Sequence, residues 1–344
     1  MKQVAKNRDF REARLAKKDE FYTQLTDIER ELQHYEGQFR GKVVYCNCDD
    51  PRMSNFFRFF STNFERLGLK KLITTCYRSQ DPDRFPSDRS GRAVYLEYNG
   101  DKSDNQVPNI DEIGVQNLSG DGDFRSEESV GLLKQADIVV TNPPFSLFRE
   151  YIAQLVEHDK KFLVVGNMNA LTYKEIFPLF QENKMWYGPS IRGGDREFQV
   201  PDGYPLTAAG FRVDDRGRKY IRVKGVRWFT NLDYPGRHSS LELLKRYSPS
   251  AYPKYANFEA IEVGKTMDIP VDYDGLMGVP ITFLDKFSPD QFEILGSSKT
   301  LGRPMSEVAE KGTYQQGGPR FYLPNGDGTY RRMYDRVVIR NKQL

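Results

Sequence analysis

Through its first half the chain alternates short, wholly apolar runs with longer stretches whose apolar positions recur at helical spacing. Leu25, Ile28, Leu32 and Tyr35 share one helical face within a charged N-terminal segment, residues 1–40, that reads as helix. Residues 42–46 (Lys-Val-Val-Tyr-Cys) have the character of a buried strand, and they run into the turn cluster Asn47-Cys48-Asp49-Asp50-Pro51. A Phe-rich helix is predicted over residues 54–67, closed by Gly68. Strands are predicted over 69–77, 92–98, 138–141 and 161–166, with helices over 145–157 and 172–182. Strands alternating with helices in this way predict an α/β fold on a doubly wound, mostly parallel sheet. Ligands of such sheets bind beyond the carboxyl ends of the strands. The turn at 47–51 and the loop after residue 141 therefore share one edge.

Beyond about residue 190 the pattern shortens. Strand-like runs at 219–223, 226–229, 260–263 and 337–339 are separated by loops such as Arg192-Gly193-Gly194-Asp195-Arg196 and Gly317-Gly318-Pro319. A smaller, irregular C-terminal domain is predicted over 246–344, after a main domain over 1–245. In residues 220–224, alternation sets Tyr220, Arg222 and Lys224 on one strand face. That face suits either phosphates or plain solvent. Arg331, Arg332, Arg336 and Arg340 form a second basic cluster open to the same two readings.

Composition narrows the class. The chain has 344 residues and a net charge of +3, so only local clustering can make a nucleic-acid surface. The charged N-terminus lacks the apolar core of a signal peptide, and no apolar run approaches membrane-spanning length. A cytoplasmic protein that does not enter membranes is expected. Cys46, Cys48 and Cys76 are the only cysteines, and with three histidines in the chain no metal site is expected.

The most informative residues are Asn142-Pro143-Pro144-Phe145, which end the apolar run from Asp137 to Thr141. Such a loop suits methyl transfer to a planar, exocyclic or amide-like nitrogen. The lone pair of that nitrogen is delocalised. The Asn142 side-chain oxygen can accept one N–H and the next carbonyl the other, turning the lone pair toward a methyl donor. The prolines stiffen the loop because each fixes φ and offers no donor. Phe145 offers a face on which a ring can stack. The plain alternative is a Pro-rich turn closing a strand. On the donor side, Asp49 or Asp50 could accept from an ammonium or from ribose hydroxyls. In Gly120-Asp121-Gly122-Asp123-Phe124, Asp123 could accept from an adenine amino group while Phe124 covers its ring, or the segment is an ordinary Asp-Gly turn.

Several stretches in order carry a resemblance. They are Asp19-Glu20-Phe21-Tyr22-Thr23-Gln24, residues 45–51, Gly122-Asp123-Phe124-Arg125-Ser126, and residues 140–146 around the Asn-Pro-Pro-Phe loop. Gly194-Asp195-Arg196-Glu197-Phe198, residues 227–232 and residues 278–286 continue the set. Together they resemble the adenine-specific DNA methyltransferases of the EcoRI modification methylase family. The resemblance implies S-adenosylmethionine as cofactor, double-stranded DNA as partner and adenine N6 as acceptor. It implies a catalytic loop of Asn142, Pro143, Pro144 and Phe145. Tyr22 and Thr23 fall where that family packs over the methionine part of the donor, Asn47 and Asp49 in the first-strand loop, and Asp123 and Phe124 in the adenine-binding segment. The family's glycine-rich first loop is missing here. The extra C-terminal region suits sequence reading on a long duplex, so 1–245 is expected to be the S-adenosylmethionine-binding catalytic domain and 246–344 a target-recognition domain. A companion restriction endonuclease of the same specificity is a candidate further partner.

Loops of this kind also serve RNA bases and protein glutamine, and a non-catalytic antirestriction protein could retain the DNA surface alone. The intact loop speaks against the last. Methylation of cytosine C5 is disfavoured because it needs a cysteine nucleophile, and no cysteine here follows a proline in a loop after a strand.

Overall fold

The computed structural model describes residues 22–48, 50–77, 93–100, 113–200 and 210–344. They divide into two compact units, one of residues up to 177 with 187–233, the other of 178–186 with 234–344.

In the first unit, α1 (Leu25–Leu32) buries Ile28 and Leu32, and the rest of the N-terminal helix predicted before residue 22 lies outside the described residues. β1 (Val43–Asn47) is buried at all five positions. α2 (Asn55–Thr62) is capped by Ser54, whose Oγ accepts from Phe56 N at 3.2 Å, and it buries Phe56, Phe57, Phe59 and Phe60. The single helix predicted over 54–67 breaks at Asn63, where the side-chain Nδ2 donates to Phe59 O at 2.8 Å and competes with the helical pattern. α3 (Phe64–Leu67) leads into β2 (Lys71–Thr75). β3 (Val94–Tyr98) and β4 (Gln116–Asn117) follow, then α4 (Glu127–Gln135), β5 (Ile138–Thr141), α5 (Phe148–Glu157) and β6 (Lys161–Asn167). The unit closes with β7 (Trp186–Tyr187), β8 (Asp195–Val200), β9 (Arg212–Val213), β10 (Lys219–Lys224) and β11 (Val226–Thr230).

The result is a mixed α/β architecture on an eight-stranded sheet, ordered β4-β3-β2-β1-β5-β6-β11-β7. Its centre, β2-β1-β5-β6, is parallel. Within the mostly parallel sheet expected, β3 pairs antiparallel with β2, as β11 does with β6. Burial shows why: β1 is buried throughout, whereas β3 alternates buried and half-buried, the mark of a less covered antiparallel strand. Asp195 and Arg196, predicted as loop, open β8, which pairs antiparallel with β10 beside β9 in a separate small sheet. On β10, Arg222 and Lys224 are exposed, but Tyr220 is buried under the Arg212 guanidinium, 4.3 Å from its ring centre.

The helix predicted over 172–182 is reduced to α6 (Phe177–Gln181). Pro178 can stand only in a first helical turn, where its missing N–H goes unneeded. In the second unit, β12 (Ile261–Glu262), β13 (Met277–Pro280), β14 (Phe292–Ser297) and β17 (Arg336–Asn341) form a sheet ordered β12-β13-β17-β14, and β15 (Tyr322–Pro324) and β16 (Tyr330–Arg332) form a hairpin. Tyr255, Ala260, Phe321, Leu323 and Val338 pack together as one core cluster there.

Candidate active site

The strand order reverses at β1. From β1 the chain passes to β2 and β3 on one side, then returns to β5 and β6 on the other. In open α/β sheets such a reversal leaves a crevice beyond the carboxyl ends, and ligands bind there. The register pairs Val44 with Ile138 and Tyr45 with Val139, so Asn47 and Thr141 end level. Thr141 Oγ1 donates to Asn47 O at 2.6 Å, a buried bond that ties the loop after β5 to the loop after β1.

Asn142 is 6% exposed, Pro143 is buried, and Pro144 and Phe145 are half-buried. Pro144 O accepts from Leu147 N at 3.0 Å, which rolls Phe145–Leu147 into a 3-10 turn, so the α-helix predicted from residue 145 begins only at Phe148. Phe148 fixes this segment to the sheet. A Cβ at Gly166 on β6 would lie 2.5 Å from the Phe148 ring, so only glycine admits it there. Phe148 packs on Phe229 at 4.8 Å, and Trp228 and Phe229 are fully buried. These three aromatics are core, while Phe145 is the ring left at the loop.

Tyr151 of α5 supplies a second link. It is fully buried, its hydroxyl donates to Asn47 Oδ1, and its ring meets Phe124 edge-on at 5.1 Å. Burial pushes the Tyr151 phenol well above its ordinary range, so it stays a protonated donor. Gln154 Nε2 reaches Phe124 O at 3.0 Å. Asp123 is gripped by Arg125, whose backbone N and Nε each donate to Oδ1 at 2.9 Å and whose Nη2 donates to Oδ2 at 2.6 Å. Bonding to Asp123 raises the Arg125 pKa further. The preceding turn is pressed onto the end of β2: at Gly122, with φ +73°, a Cβ would stand 2.2 Å from Cys76 O.

The loop after β1 contains no glycine, yet Cys48 adopts φ 132°, a value that glycine tolerates and other residues rarely do. Its N donates to Thr75 O at 3.1 Å. Asp50, 5% exposed, accepts at Oδ1 from Arg52 N at 2.9 Å and Nε at 2.8 Å, the same grip that Arg125 has on Asp123. Asp49 lies outside the described residues. Thr23 reaches the helix that follows this loop, while Tyr22 bridges to β8. Tyr22 N donates to Gln199 O at 2.9 Å, and Thr23 O accepts from Asn55 Nδ2, at the start of α2, at 2.8 Å. Thr23 is 3% exposed, and its Oγ1 is buried with no hydrogen-bond partner among the described residues.

The ordered motifs and this geometry agree with the comparisons. The family model described as adenine-specific methyltransferase EcoRI matches residues 9–342. The chain belongs to this family. It is 51% identical over 297 residues to the Type II methyltransferase M.EcoRI of Escherichia coli, covering 86% of this chain and 90% of that protein. It is 38% identical over 344 residues to the Type II methyltransferase M.MpnI of Mycoplasma pneumoniae, covering 97% and 98% respectively. No solved structure matches significantly. As a member of this family the protein is an adenine-specific DNA methyltransferase, which sets aside the RNA, glutamine and non-catalytic readings.

The candidate site also includes residues that the sequence pattern alone does not mark. Thr141 read only as strand, and Tyr151 read as core because it shares the apolar face of Phe148, Ile152 and Leu155. A Tyr among Phe and Leu on that face was the available signal, since a buried phenol needs a partner. Among the described residues no cluster of three His, Cys, Asp or Glu could hold a metal ion, and no helix is long and apolar enough to cross a membrane.

Proposed function

We propose that this methyltransferase carries a methyl group from S-adenosylmethionine to N6 of an adenine swung out of a DNA duplex, at one recognition sequence. The bond from Thr141 Oγ1 to Asn47 O carries the reading, because it joins the loop suited to the acceptor to the loop suited to the donor. The reversal of strand order at that place supports the S-adenosylmethionine-dependent methyltransferase fold.

The residues present fit the donor. The buried, unsatisfied Thr23 hydroxyl suits a polar group of its methionine part, with Tyr22 alongside. Asn47 and Asp49 are assigned to the donor's ammonium and ribose. Phe124 covers the adenine ring, and Asp123, steadied by Arg125, accepts from the adenine amino group. Bound S-adenosylmethionine supplies a methyl group on a positively charged sulfur, ready for attack by a nitrogen lone pair. On the acceptor side, Asn142 Oδ1 accepts one N–H of the target amine and the Pro143 carbonyl the other. Both acceptors bind best when the nitrogen has become tetrahedral, so they favour the transition state over the ground state. Phe145 stacks on the extruded base, offsetting part of the few kcal/mol lost in unstacking.

In this reading the second unit, with the predicted 246–344 domain as its bulk, reads the target sequence. A type II assignment for the relatives supports a companion restriction endonuclease, and a DNA substrate supports work in the cytoplasm. Expression in a host without DNA methylation, followed by sequencing that detects modified bases, tests the proposal. N6-methyladenine within one short sequence is expected. Labelled methyl groups appearing in RNA or protein but not DNA would overturn it.

A further inference from the structure

The second unit holds a cleft of about 370 Å³ bounded by residues 302–306 and 314–322. Its two walls are fastened together from behind. Asn257, fully buried, donates from Nδ2 to both Arg303 O and Arg320 O at 2.8 Å, and its Oδ1 accepts from Tyr322 N at 3.0 Å. All three side-chain bonds of one residue therefore hold the mouth at a fixed width, which is preorganisation of the kind a recognition site needs.

The lining is aromatic and polar. Tyr314 and Tyr322 meet edge-on at 5.8 Å, and the Tyr322 hydroxyl donates to Gln315 O at 2.9 Å. Arg320 is neutralised by Asp335 at 3.1 Å, and Arg332 Nη2 is spent on Gly318 O at 3.0 Å. Two lining side chains differ from these. Arg303 and Gln316 are both exposed, and neither side chain makes a hydrogen bond to the protein among the described residues. A phosphate site would present several uncommitted cations. This cleft presents one guanidinium, one amide and two aromatic walls. Arginine pairs bidentately with O6 and N7 of guanine, and glutamine with N6 and N7 of adenine.

We propose that this cleft reads purine edges of the target sequence, with Arg303 and Gln316 as specificity-determining residues. The proposal rests on the DNA methyl-transfer reading above. Both side chains are exposed, so Arg303→Ala and Gln316→Ala are expected to fold as the parent does, and Lys311→Ala on the adjoining exposed loop serves as the comparison. Modified-base sequencing of a host expressing each full-length protein should show the parent and Lys311→Ala confined to one sequence. Each cleft variant should also modify sites that differ at a single purine position, with discrimination there reduced on the order of tenfold to a hundredfold. Competition binding with duplexes altered at one position at a time should show the same loss without relying on turnover. Variants that keep the parent's sequence discrimination would overturn the proposal, whether their overall affinity is unchanged or uniformly weaker. A parent protein that modifies no DNA would instead overturn the methyl-transfer reading, and the binding measurement would then judge the cleft separately.

Discussion

An exocyclic amine on adenine shares its lone pair with the ring, so acceleration must come from atoms that bind its hydrogens as the nitrogen becomes tetrahedral. Asn142→Ala should cut kcat on the order of a hundredfold or more while donor binding stays close to that of the parent. Near-normal turnover of duplex DNA in that variant would remove the proposed chemistry. Phe145→Ala should harm duplex substrates more than substrates whose target adenine is already mispaired, because the mispair lowers the unstacking cost in advance. Equal losses in single-turnover rates on the two substrates would make Phe145 a packing residue. Cys48 carries a different load. At φ 132° it stores strain that glycine would not, and glycine in return loses more chain entropy on folding. Cys48→Gly should therefore stabilise the fold by about 1 kcal/mol net in urea melts. A loss of stability would mean that the thiol's packing outweighs the backbone strain. At this scale the proposed acceptor loop could be named from the sequence because its polar and aromatic groups are neighbours in the chain. Tyr151 could not, because its partner Asn47 is 104 positions away and only folding joins them.

The elements supply position, and the closeness of their approach is set by small residues. The turn carrying Asp123 and Phe124 reaches β2 only because Gly122 has no side chain, with Cys76 O at 2.2 Å and Ala93 Cβ at 2.8 Å from where one would be. Gly122→Ala must pay for both a left-handed backbone and that collision, roughly 2 kcal/mol or more. It should weaken donor affinity by calorimetry as the turn is displaced. At Gly120 the nearest atom, Glu128 Oε2, is 3.6 Å from the same construction, so Gly120→Ala should change stability by less than about 0.5 kcal/mol. Similar effects at the two positions would deny the turn its tight seat. The buried strands β1, β5 and β6 could be read from their apolar runs, since burial on both faces requires such runs. The direction of β3 was encoded more faintly, in the alternation of Val94, Leu96 and Tyr98 with Tyr95 and Glu97. The start of β8 was hidden behind Gly193 and Gly194, because its pairing with β10 is a long-range contact that local composition does not report.

Over the whole molecule, charge is placed differently from its order in sequence. The arginines of 331–340 read as one basic surface, yet they have separate fates. Arg331 is exposed, Arg332 bonds Gly318 O, and Arg340 pairs with Glu293. Arg336 is buried within β17, where Nη2 donates to Glu262 Oε1 at 2.7 Å and Nε donates to Oε2 at 3.0 Å. The Tyr255 hydroxyl also donates to Glu262, and burial together with that carboxylate pushes its phenol pKa up. This triad stands inside the second unit and shields its charges from solvent, so it serves folding and does not meet phosphates. Removing one partner from such a pair strands the other without solvation. Arg336→Leu should cost about 3–5 kcal/mol, because the Glu262 carboxylate would be left buried and unpaired. Replacing both charges, Arg336→Leu with Glu262→Leu, should recover most of that loss, since no ion is then stranded and Tyr255 Oη still lies 3.3 Å from Gly278 O. Thermal and urea unfolding of the two variants beside the parent would decide the matter. A surface arginine would behave otherwise: the single change would cost less than about 1 kcal/mol, the second would restore nothing, and the salt dependence of DNA binding would flatten by about one unit.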